Sequence, residues 1–251
     1  MKIGYYILSR KRVDKQHTAK LLDDAKLPYK ICVEPQEYKT YCAQFGTEKI
    51  LSLDQNNQGI AYARNWAKQY SKEHGEDWHW NLDDDIRHVY ICVKGKNVKQ
   101  SAKIVFGRIQ LIVGKYDNVA LAGLASSAFN RYEKKPVLVN RFCYSCMLVK
   151  NDDFQWRHNT EDDLDYNLQV LTAGQCTMAF KVFSFAFSPQ QLVSGGLTDI
   201  RTDKIREKWV YQILLDWQYL GLKMKRKKDG SPRVVTGGIW RNFRQKLQWK
   251  K

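Results

Sequence analysis

The strongest chemical signal in the sequence is a run of three aspartates that follows an apolar segment. Residues 78–82 predict a buried strand, and Asp83, Asp84 and Asp85 come directly after it. Ligands of open α/β sheets bind beyond the carboxyl ends of the strands. Adjacent carboxylates repel each other unless a cation lies among them, and hard divalent cations prefer oxygen ligands. Because side chains alternate along an extended chain, we expect Asp83 and Asp85 to share one metal and phosphate site. A solvated acidic turn is the alternative.

A second signal is Arg64, in the helix predicted after Gly59. At 100° per residue, Arg64 lies about 40° from the apolar position Ile60, so it borders the apolar face of this helix. A partly buried guanidinium needs an anionic or planar partner. We expect either a bound ligand or a salt bridge to one of the three aspartates. Gly59 suits a close backbone approach where the helix begins.

A third signal is the acidic start of another predicted helix, with acids at positions 161, 162, 163 and 165 after Thr160. A structural explanation exists, because Thr160 can cap the helix and acids in the first turn interact favourably with the helix dipole. Capping does not require four acids within five positions. A carboxylate placed here beside a substrate hydroxyl could act as a general base.

Strands alternate with helices along the chain, which predicts an α/β fold with a mostly parallel sheet and helices on both faces. Strands are predicted at residues 3–8, 29–33, 49–53, 78–82, 119–125, 142–149 and 177–187, and helices at 18–27, 60 to near 75, 102–116, 160 to near 174, and 204–219. With 251 residues, the chain is long enough for one large domain. We expect a monomer with one domain over residues 1–220 and a basic, aromatic extension, residues 221–251, packed on it.

The net charge of +16 is large and unevenly distributed. Residues 221–251 hold seven Lys, four Arg and one Asp, a net +10. Such segregation predicts a polyanionic partner such as nucleic acid or an anionic membrane, although a solvated tail is also possible. The cations that we expect to bind DNA phosphates are Lys225, Arg226, Lys227, Lys228, Arg241 and Arg244.

Aromatic residues lie among the cations of this extension, and they allow two interpretations. Trp240, Phe243 and Trp249 could stack on bases. Alternatively, Ile239, Phe243 and Leu247 form one stripe of a helix that packs on the domain. Both interpretations hold together if the stripe faces inward and the cations face outward.

Several classes of protein are disfavoured by what the sequence lacks. There is no Walker-type phosphate loop, Gly-x-Ser-x-Gly elbow or Gly-x-Gly-x-x-Gly motif, which argues against a P-loop kinase, an α/β-hydrolase and a dinucleotide-dependent dehydrogenase. No apolar run is long enough for a membrane span, and the first apolar run is too short for a signal peptide. Of the six cysteines, only Cys143 and Cys146 have ligand-like spacing, and we interpret them as buried thiols. A cytoplasmic location is expected.

The predicted α/β fold, the aspartate run at a strand end and the later acidic helix, in this order along the chain, resemble the GT-A nucleotide-sugar glycosyltransferases. Asp83-Asp84-Asp85 resembles the Asp-x-Asp motif, which in that fold binds Mg²⁺ or Mn²⁺ and the donor diphosphate. Thr160-Glu161-Asp162 resembles the Thr-Glu-Asp motif of the inverting members, whose aspartate is the base. The resemblance implies Asp162 as the base here, with Glu161 as the fallback. Many GT-A enzymes complete the metal site with a C-terminal His, but this chain has none after His158.

More narrowly, residues 1–200 resemble the TET/JBP-associated glycosyltransferases of phages and kinetoplastids. The matching segments are residues 8–12, 33–35 with Tyr38, 59–65 and 80–86. That group is implicated in adding sugars to hydroxymethylated pyrimidines in DNA. The resemblance implies a nucleotide-sugar pocket, for a UDP-sugar in the first instance, lined by Ser9, Arg10, Glu34, Arg64, Asp83 and Asp84, with the metal on Asp83 and Asp85.

The predicted function is therefore metal-dependent transfer of a sugar from a nucleotide sugar to 5-hydroxymethylcytosine or a related pyrimidine in double-stranded DNA. A phage enzyme would act in the host cytoplasm. Two other classes of enzyme remain open at this point. One is a glycosyltransferase that modifies a cell-surface polymer at a membrane, and the other is a metal-dependent nuclease or nucleotidyltransferase. A DNA-binding protein without activity would require acids silenced by Arg64 and Arg87.

Overall fold

A ten-stranded mixed sheet covered by helices forms the body of the protein. The computed structural model describes residues 1–128, 135–187, 203–228 and 230–250. The strands are β1 (Ile3–Leu8), β2 (Lys30–Val33), β3 (Ile50–Ser52), β4 (Trp78–Asp83), β5 (Ile86–Val93), β6 (Lys96–Gln100), β7 (Val119–Ser126), β8 (Val137–Val139), β9 (Cys146–Lys150), β10 (Cys176–Phe187), β11 (Lys223–Arg226) and β12 (Pro232–Val235). The helices are α1 (His17–Asp24), α2 (Tyr38–Phe45), α3 (Ile60–Glu73), α4 (Ala102–Val113), α5 (Asp162–Thr172) and α6 (Asp203–Asp216).

Most strands of the large sheet run in one direction. The order is β3-β2-β1-β4-β9-β7-β10-β5-β6, and β8 pairs with β10. Strands β1 to β4 are mutually parallel, as are β7 and β10, whereas β9 lies antiparallel between β4 and β7. Since β9 is antiparallel to both, β4 and β7 point the same way. The predicted α/β class with a mostly parallel sheet is confirmed.

Helices cover both faces of the sheet, and the alternation of β1 shows how. Tyr6 and Leu8 pack on one face with Ala67 of α3, whereas Ile7 belongs to the main core on the other face. There Phe106 of α4 stacks on Trp80 with ring centroids 4.2 Å apart. Burial on both sides explains why the central strands are continuous apolar runs.

Several elements differ from the sequence-based prediction. Strands β5 and β6 form a hairpin over residues 86–100 that apolar patterning did not predict, because the residues of β6 are polar and largely exposed. Its turn, Lys94-Gly95, has positive φ at both residues, the geometry of a tight hairpin. The strand predicted over 142–149 begins only at Cys146, because residues 140–145 form a loop.

The C-terminal extension packs on the body, but not as a helix. After the β11–β12 hairpin and a 3-10 turn at Ile239–Arg241, no helix follows up to residue 250. The helical stripe interpretation is therefore wrong in conformation. Ile239 and Phe243 nevertheless pack with α5 and α6, and Leu247 packs against the main core. Backbone hydrogen bonds from Asp117 to Gln248 and from Lys250 to Lys115 tie the last described residues to the body.

Among the described residues, no helix combines the length and apolarity that crossing a membrane requires.

Candidate active site

The sequence-predicted donor and catalytic residues lie at one edge of the sheet. Strands β2, β1 and β4 are parallel neighbours, so their carboxyl ends meet there. Helix α3 and the start of α5 reach the same edge, because Arg64 contacts both β4 and α5. The residues gathered along this edge are Ser9, Arg10, Glu34, Arg64, Asp83, Asp84, Asp85, Glu161 and Asp162.

Arg64 joins the aspartate at the end of β4 to the two aspartates that open α5. Its guanidinium lies 3.5 Å from Asp83, 3.2 Å from Asp162 and in hydrogen-bond contact with Asp163. It also lies over the ring of Trp156, 5.7 Å from the centroid. With only 4% of its side chain exposed, Arg64 is held by these partners. We refer to Arg64, Asp83, Asp162 and Asp163 as the Arg64 cluster.

The Arg64 cluster has more negative than positive charge. Burial raises the pKa of Asp83 to about 6 and that of Asp163 to about 7, and Arg64 offsets this only in part. Burial and the neighbouring Asp84 raise the pKa of Asp85 to about 6. One guanidinium against three carboxylates leaves a charge of −2 when all are ionised. The site therefore favours a further cation.

Asp84 has partners of its own, separate from those of Asp83. Ser9 donates a hydrogen bond to Asp84 Oδ2 at 2.6 Å, and Arg12 donates to Oδ1 at 2.8 Å. The Tyr41 hydroxyl lies 2.8 Å from the Ser9 hydroxyl, and this hydrogen bond is also buried. Asp84 thus links β4 to the loop after β1 and shapes the edge without joining the Arg64 cluster.

Arg10 and Glu34, which are predicted to line the nucleotide-sugar pocket, form an ion pair on the β2 side of the site. Arg10 Nε lies 3.3 Å from Glu34 Oε1, and Arg10 Nη2 donates to the Asn57 side chain at 2.9 Å. Glu34 also accepts hydrogen bonds from the Asn57 amide and from the Gln36 side chain. These contacts order the loop that leads into α3.

The start of α5 differs from the predicted capping. Glu161 precedes the helix in the left-handed conformation, with φ 50°, and no side chain caps the helix. Thr160 therefore does not cap α5, because a Thr cap requires an extended residue immediately before the helix. Asn159 instead accepts a hydrogen bond from the Ala61 amide at 3.0 Å, which caps α3. The Asn159 amide group fills the space beside Gly59, where a Cβ would lie 2.4 Å from it.

Asp162 retains one carboxylate oxygen without a hydrogen bond. Its Oδ2 is buried and lies 3.2 Å from Arg64, yet the geometry is not that of a hydrogen bond. The side chain is 9% exposed and lies in the first turn of α5. A buried carboxylate oxygen that accepts no hydrogen bond is uncommon in folded proteins and calls for an explanation.

Comparison with protein families shows the family of the chain. The sequence profile of the TET-Associated Glycosyltransferase family matches residues 3–196. The chain belongs to the TET-associated glycosyltransferase family. The protein is therefore an enzyme that transfers sugars, as the resemblance implied. None of the curated proteins compared with the chain matches it in sequence.

Solved structures that resemble this TET-associated glycosyltransferase are distant in sequence. A197 from STIV is 12% identical, with a TM-score of 0.48 over 76% of this chain and 87% of that one. A nucleotide-diphospho-sugar transferase from Desulfovibrio desulfuricans G20, itself described as putative, is 10% identical, with a TM-score of 0.45 over 72% and 80% of the two chains. GalNAc-T7 with UDP, GalNAc and Mn²⁺ is 10% identical, with a TM-score of 0.44 over 87% and 57%.

Not every acid at the start of α5 belongs to the site of the TET-associated glycosyltransferase. Asp165 is completely buried and accepts hydrogen bonds from Arg157, from Gln169 at 2.8 Å and from the Trp217 indole at 2.8 Å. These donors tie the loop before α5 and helix α6 to α5. We refer to Asp165, Arg157 and Trp217 as the Asp165 cluster, and its arrangement is that of a structural anchor.

A metal-like grouping adjoins this anchor. Among the residues that the structure describes, His158, Asp165 and Asp216 offer ligand atoms within 4.8 Å of one another. His158 Nε2 lies 2.8 Å from Asp216, but the oxygens of Asp165 already accept hydrogen bonds from Arg157 and Trp217. A cation would have to displace these donors, so we interpret the grouping as structural.

A loop at residues 140–145 completes the site, and sequence reasoning missed it. The Ser145 carbonyl accepts from the Asp83 amide at 3.2 Å, and the Ser145 amide lies 3.3 Å from Asp163 Oδ2. Asn167 of α5 holds the loop by accepting from the Cys143 amide and donating to its carbonyl. Cys143 and Cys146 are buried free thiols, as interpreted from their apolar surroundings.

The predicted DNA-binding cations lie in the C-terminal extension, mostly exposed. Arg226 differs from the others, because it pairs with Glu207 at 2.6 Å and donates to the Gly230 carbonyl. All six side chains of the set are exposed, namely Lys225, Arg226, Lys227, Lys228, Arg241 and Arg244.

Proposed function

We propose that this glycosyltransferase moves a sugar from a nucleotide-sugar donor to the hydroxymethyl group of 5-hydroxymethylcytosine, or a related pyrimidine, in DNA. The observation that carries the proposal is the Arg64 cluster. It places a strand-end carboxylate, suited to a metal and a diphosphate, beside a helix-start carboxylate suited to a base. The metal-dependent, base-assisted transfer proposed here uses both groups in one site.

The residues present fit a divalent cation, Mn²⁺ or Mg²⁺. Asp83 and Asp85 provide oxygen donors, and the excess of negative charge at the Arg64 cluster favours a cation there. We propose that these two aspartates hold it. When bound, such an ion neutralises the diphosphate that leaves the sugar.

The donor nucleotide would lie along the ends of β1 and β2. Ser9, Arg10 and Glu34 line that part of the edge, and Arg64 borders it from α3. Backbone and side-chain hydrogen bonds already order the loops that carry these residues, which lowers the cost of binding. We propose a UDP-sugar as the first donor to test.

We propose Asp162 as the general base. The acceptor hydroxyl oxygen forms a bond to the anomeric carbon of the sugar, while the bond from that carbon to the diphosphate oxygen breaks. The nucleoside diphosphate leaves with the electron pair, and the hydroxyl proton passes to Asp162. The carboxylate oxygen that accepts no hydrogen bond supports this assignment.

The DNA acceptor rests on charge. A net charge of +16 exceeds what a transferase of small molecules requires, and the cations of residues 221–251 are largely exposed. Lys and Arg in such a segment neutralise phosphates and release counterions. A 5-hydroxymethyl group protrudes into the major groove, and a base turned out of the duplex would bring it closer to Asp162.

The experiment is a transfer assay read by mass spectrometry. Purified protein with Mn²⁺ or Mg²⁺ and a panel of nucleotide sugars is mixed with DNA that contains 5-hydroxymethylcytosine, and with matched DNA that contains cytosine. We expect a mass gain of one sugar on the modified nucleoside alone. Donor hydrolysis without transfer to any DNA would overturn the acceptor, and DNA cleavage in Mg²⁺ alone would favour a nuclease.

A further inference from the structure

Three aromatic rings form a stacked row next to the candidate active site. The rings of Tyr144 and Phe142 are stacked at 5.4 Å and 16°, and those of Phe142 and Trp240 at 5.8 Å and 24°. Phe142 is 36% exposed, and the other two rings are partly exposed. We call Tyr144, Phe142 and Trp240 the aromatic ladder.

The aromatic ladder begins beside the Arg64 cluster, at the carboxyl end of β4. Strand β9 follows the 140–145 loop, and because β9 is antiparallel to β4, the start of β9 lies at the end of β4. Tyr144 is bonded to Ser145, whose amide and carbonyl contact Asp163 and Asp83. The ladder therefore leads from the Arg64 cluster toward the C-terminal extension.

Hydrogen bonds and backbone packing hold the aromatic ladder in place, in addition to the contacts between its rings. Arg141 donates to the Trp240 carbonyl at 3.0 Å, so it fastens the C-terminal extension to the loop. Asn167 binds the Cys143 backbone in both directions, and Gly123 of β7 admits Cys143, since a Cβ there would lie 2.8 Å from it. Rings positioned in advance lose little conformational entropy when a ligand stacks on them.

The surroundings of the ladder match a nucleic acid. Arg241 and Arg244 are exposed on the same segment as Trp240. Cations beside stacked aromatic faces are the features with which proteins bind unpaired bases and their phosphates. We propose that the aromatic ladder binds unstacked bases of the DNA acceptor and so delivers the hydroxymethylated pyrimidine to the Arg64 cluster. This inference rests on the proposed function, since it names the acceptor subsite of that reaction.

The experiment compares two tryptophans of the C-terminal extension. In Trp240→Ala, we expect the KM for the DNA acceptor and the Kd for a single-stranded oligonucleotide to rise about tenfold, because base stacking is lost. Phe142→Ala should raise both values as well, because Trp240 then loses the ring on which it is stacked. Donor hydrolysis without DNA should not change. Trp249→Ala is the matched control, since Trp249 is 63% exposed and its ring packs at a tilt of 42° against Tyr116, just before β7 begins, at the opposite end of the strands.

Two further measurements keep the interpretation specific. Heparin, a polyanion without bases, should bind all three variants as it binds the wild type, because only stacking is removed. Trp240→Phe should restore most of the oligonucleotide affinity, and melting curves should show that each variant is folded.

The outcomes separate the ladder from the proposed function. Equal KM and equal oligonucleotide binding in wild type and both ladder variants would overturn the ladder, while transfer to DNA still stands. If the wild type transfers no sugar to DNA, the proposed function fails. Selective loss of oligonucleotide binding in the ladder variants would then still support base stacking.

Discussion

Helix α5 begins with two groups of acids that differ in how their charges are balanced. In the Arg64 cluster, one guanidinium serves three carboxylates, and Asp162 keeps an oxygen without a hydrogen bond. In the Asp165 cluster, one carboxylate accepts from Arg157, Gln169 and Trp217 and is completely buried. Residue type is the same, and the positions differ by three residues at most.

The difference teaches that the ratio of donors to acids separates a site from an anchor. A carboxylate whose lone pairs are all used contributes to folding and has nothing left for a ligand. Acids that outnumber their donors destabilise one another, and such groups are concentrated at functional sites. Four acids in five positions therefore contain both kinds.

The sharpest test of this comparison exchanges one acid from each cluster for its amide. Asp162→Asn removes the base and should lower kcat by about 10²–10⁴-fold, with unchanged or higher stability because repulsion at the Arg64 cluster falls. Asp165→Asn should cost about 3 kcal/mol of unfolding free energy, because Arg157 loses its charged partner and Asn offers one acceptor oxygen where Asp165 offers two. Activity per folded molecule should remain close to wild type.

Transfer kinetics and denaturant unfolding of both variants measure the two effects. Glu161→Gln tests the fallback base, and we expect its kcat to stay close to that of the wild type. A large loss of kcat in Asp165→Asn at temperatures where it is fully folded would contradict the distinction.

A second test uses metal ions. Mn²⁺ at about 100 times its Kd should stabilise the wild type by about 2.7 kcal/mol, which raises Tm by about 5–10 °C for a chain of this size. Asp85→Ala should lose that rise and abolish transfer, yet bind DNA nearly as well as the wild type. His158→Gln should keep the rise in Tm, because the oxygens of Asp165, which would be shared ligands with His158, already accept hydrogen bonds. Differential scanning fluorimetry measures the change in Tm. Retained turnover in Asp85→Ala would contradict the proposal that Asp85 holds the metal.

A third test removes one donor from the anchor. Trp217→Phe keeps an aromatic side chain but replaces the indole with a smaller ring that has no N–H to donate to Asp165. Leaving that buried carboxylate short of a donor should cost about 1–3 kcal/mol, with unchanged kcat. Urea unfolding measures the cost. A matched Trp209→Phe variant on α6 should be nearly neutral, since Trp209 makes no hydrogen bond to the Asp165 cluster among the contacts of the described residues.

The last test concerns His79, a buried group beneath α3. Burial lowers the pKa of His79 to about 3, so the folded protein keeps it neutral while the unfolded chain protonates near pH 6.5. Its contribution is therefore present above pH 6.5 and is lost as pH falls, by about 1.4 kcal/mol per pH unit. The raised carboxyl pKa values of the Arg64 cluster act in the opposite direction.

The difference between wild type and His79→Gln isolates the His79 contribution from that of the carboxyl groups. Unfolding free energies measured from pH 7 to pH 4 should show a shallower acid loss in His79→Gln. Parallel curves for the two proteins would contradict a buried neutral imidazole. Activity at pH 7 should be the same in both, since the Nδ1 contact of His79 is to Asn151 and lies outside the site.

The sequence predicted the elements of this fold wherever apolar periodicity was strong. Strands β1, β4 and β7 and helix α3 lie where apolar runs and spacing placed them. Elements that depend on turns were missed, namely the β5–β6 hairpin and helix α2, because their residues are polar or mixed. Local patterning carries little information about such segments.

The candidate site was predictable in its acids and less so in its connections. Arg64 was expected to find either a ligand or one aspartate, and the structure gives it three carboxylates from two elements. The Asn159 cap joins residues 98 positions apart through one side chain. The 140–145 loop joins Ser145 to Asp83, 62 positions away, through a backbone hydrogen bond. Contacts of that kind depend on tertiary packing, which a single sequence does not reveal.

The inward-facing residues of the C-terminal extension have a consequence for how this protein can be altered. Ile239 and Phe243 pack with α5 and α6, and Leu247 packs on the main core, so the cations share a segment with part of the hydrophobic interior. Deleting residues 239–250 would expose apolar surface next to Leu164 and Leu168. The extension is thus no removable module. Its affinity for a polyanion can be tuned by exchanging surface cations one at a time, but it cannot be transplanted or discarded as a unit.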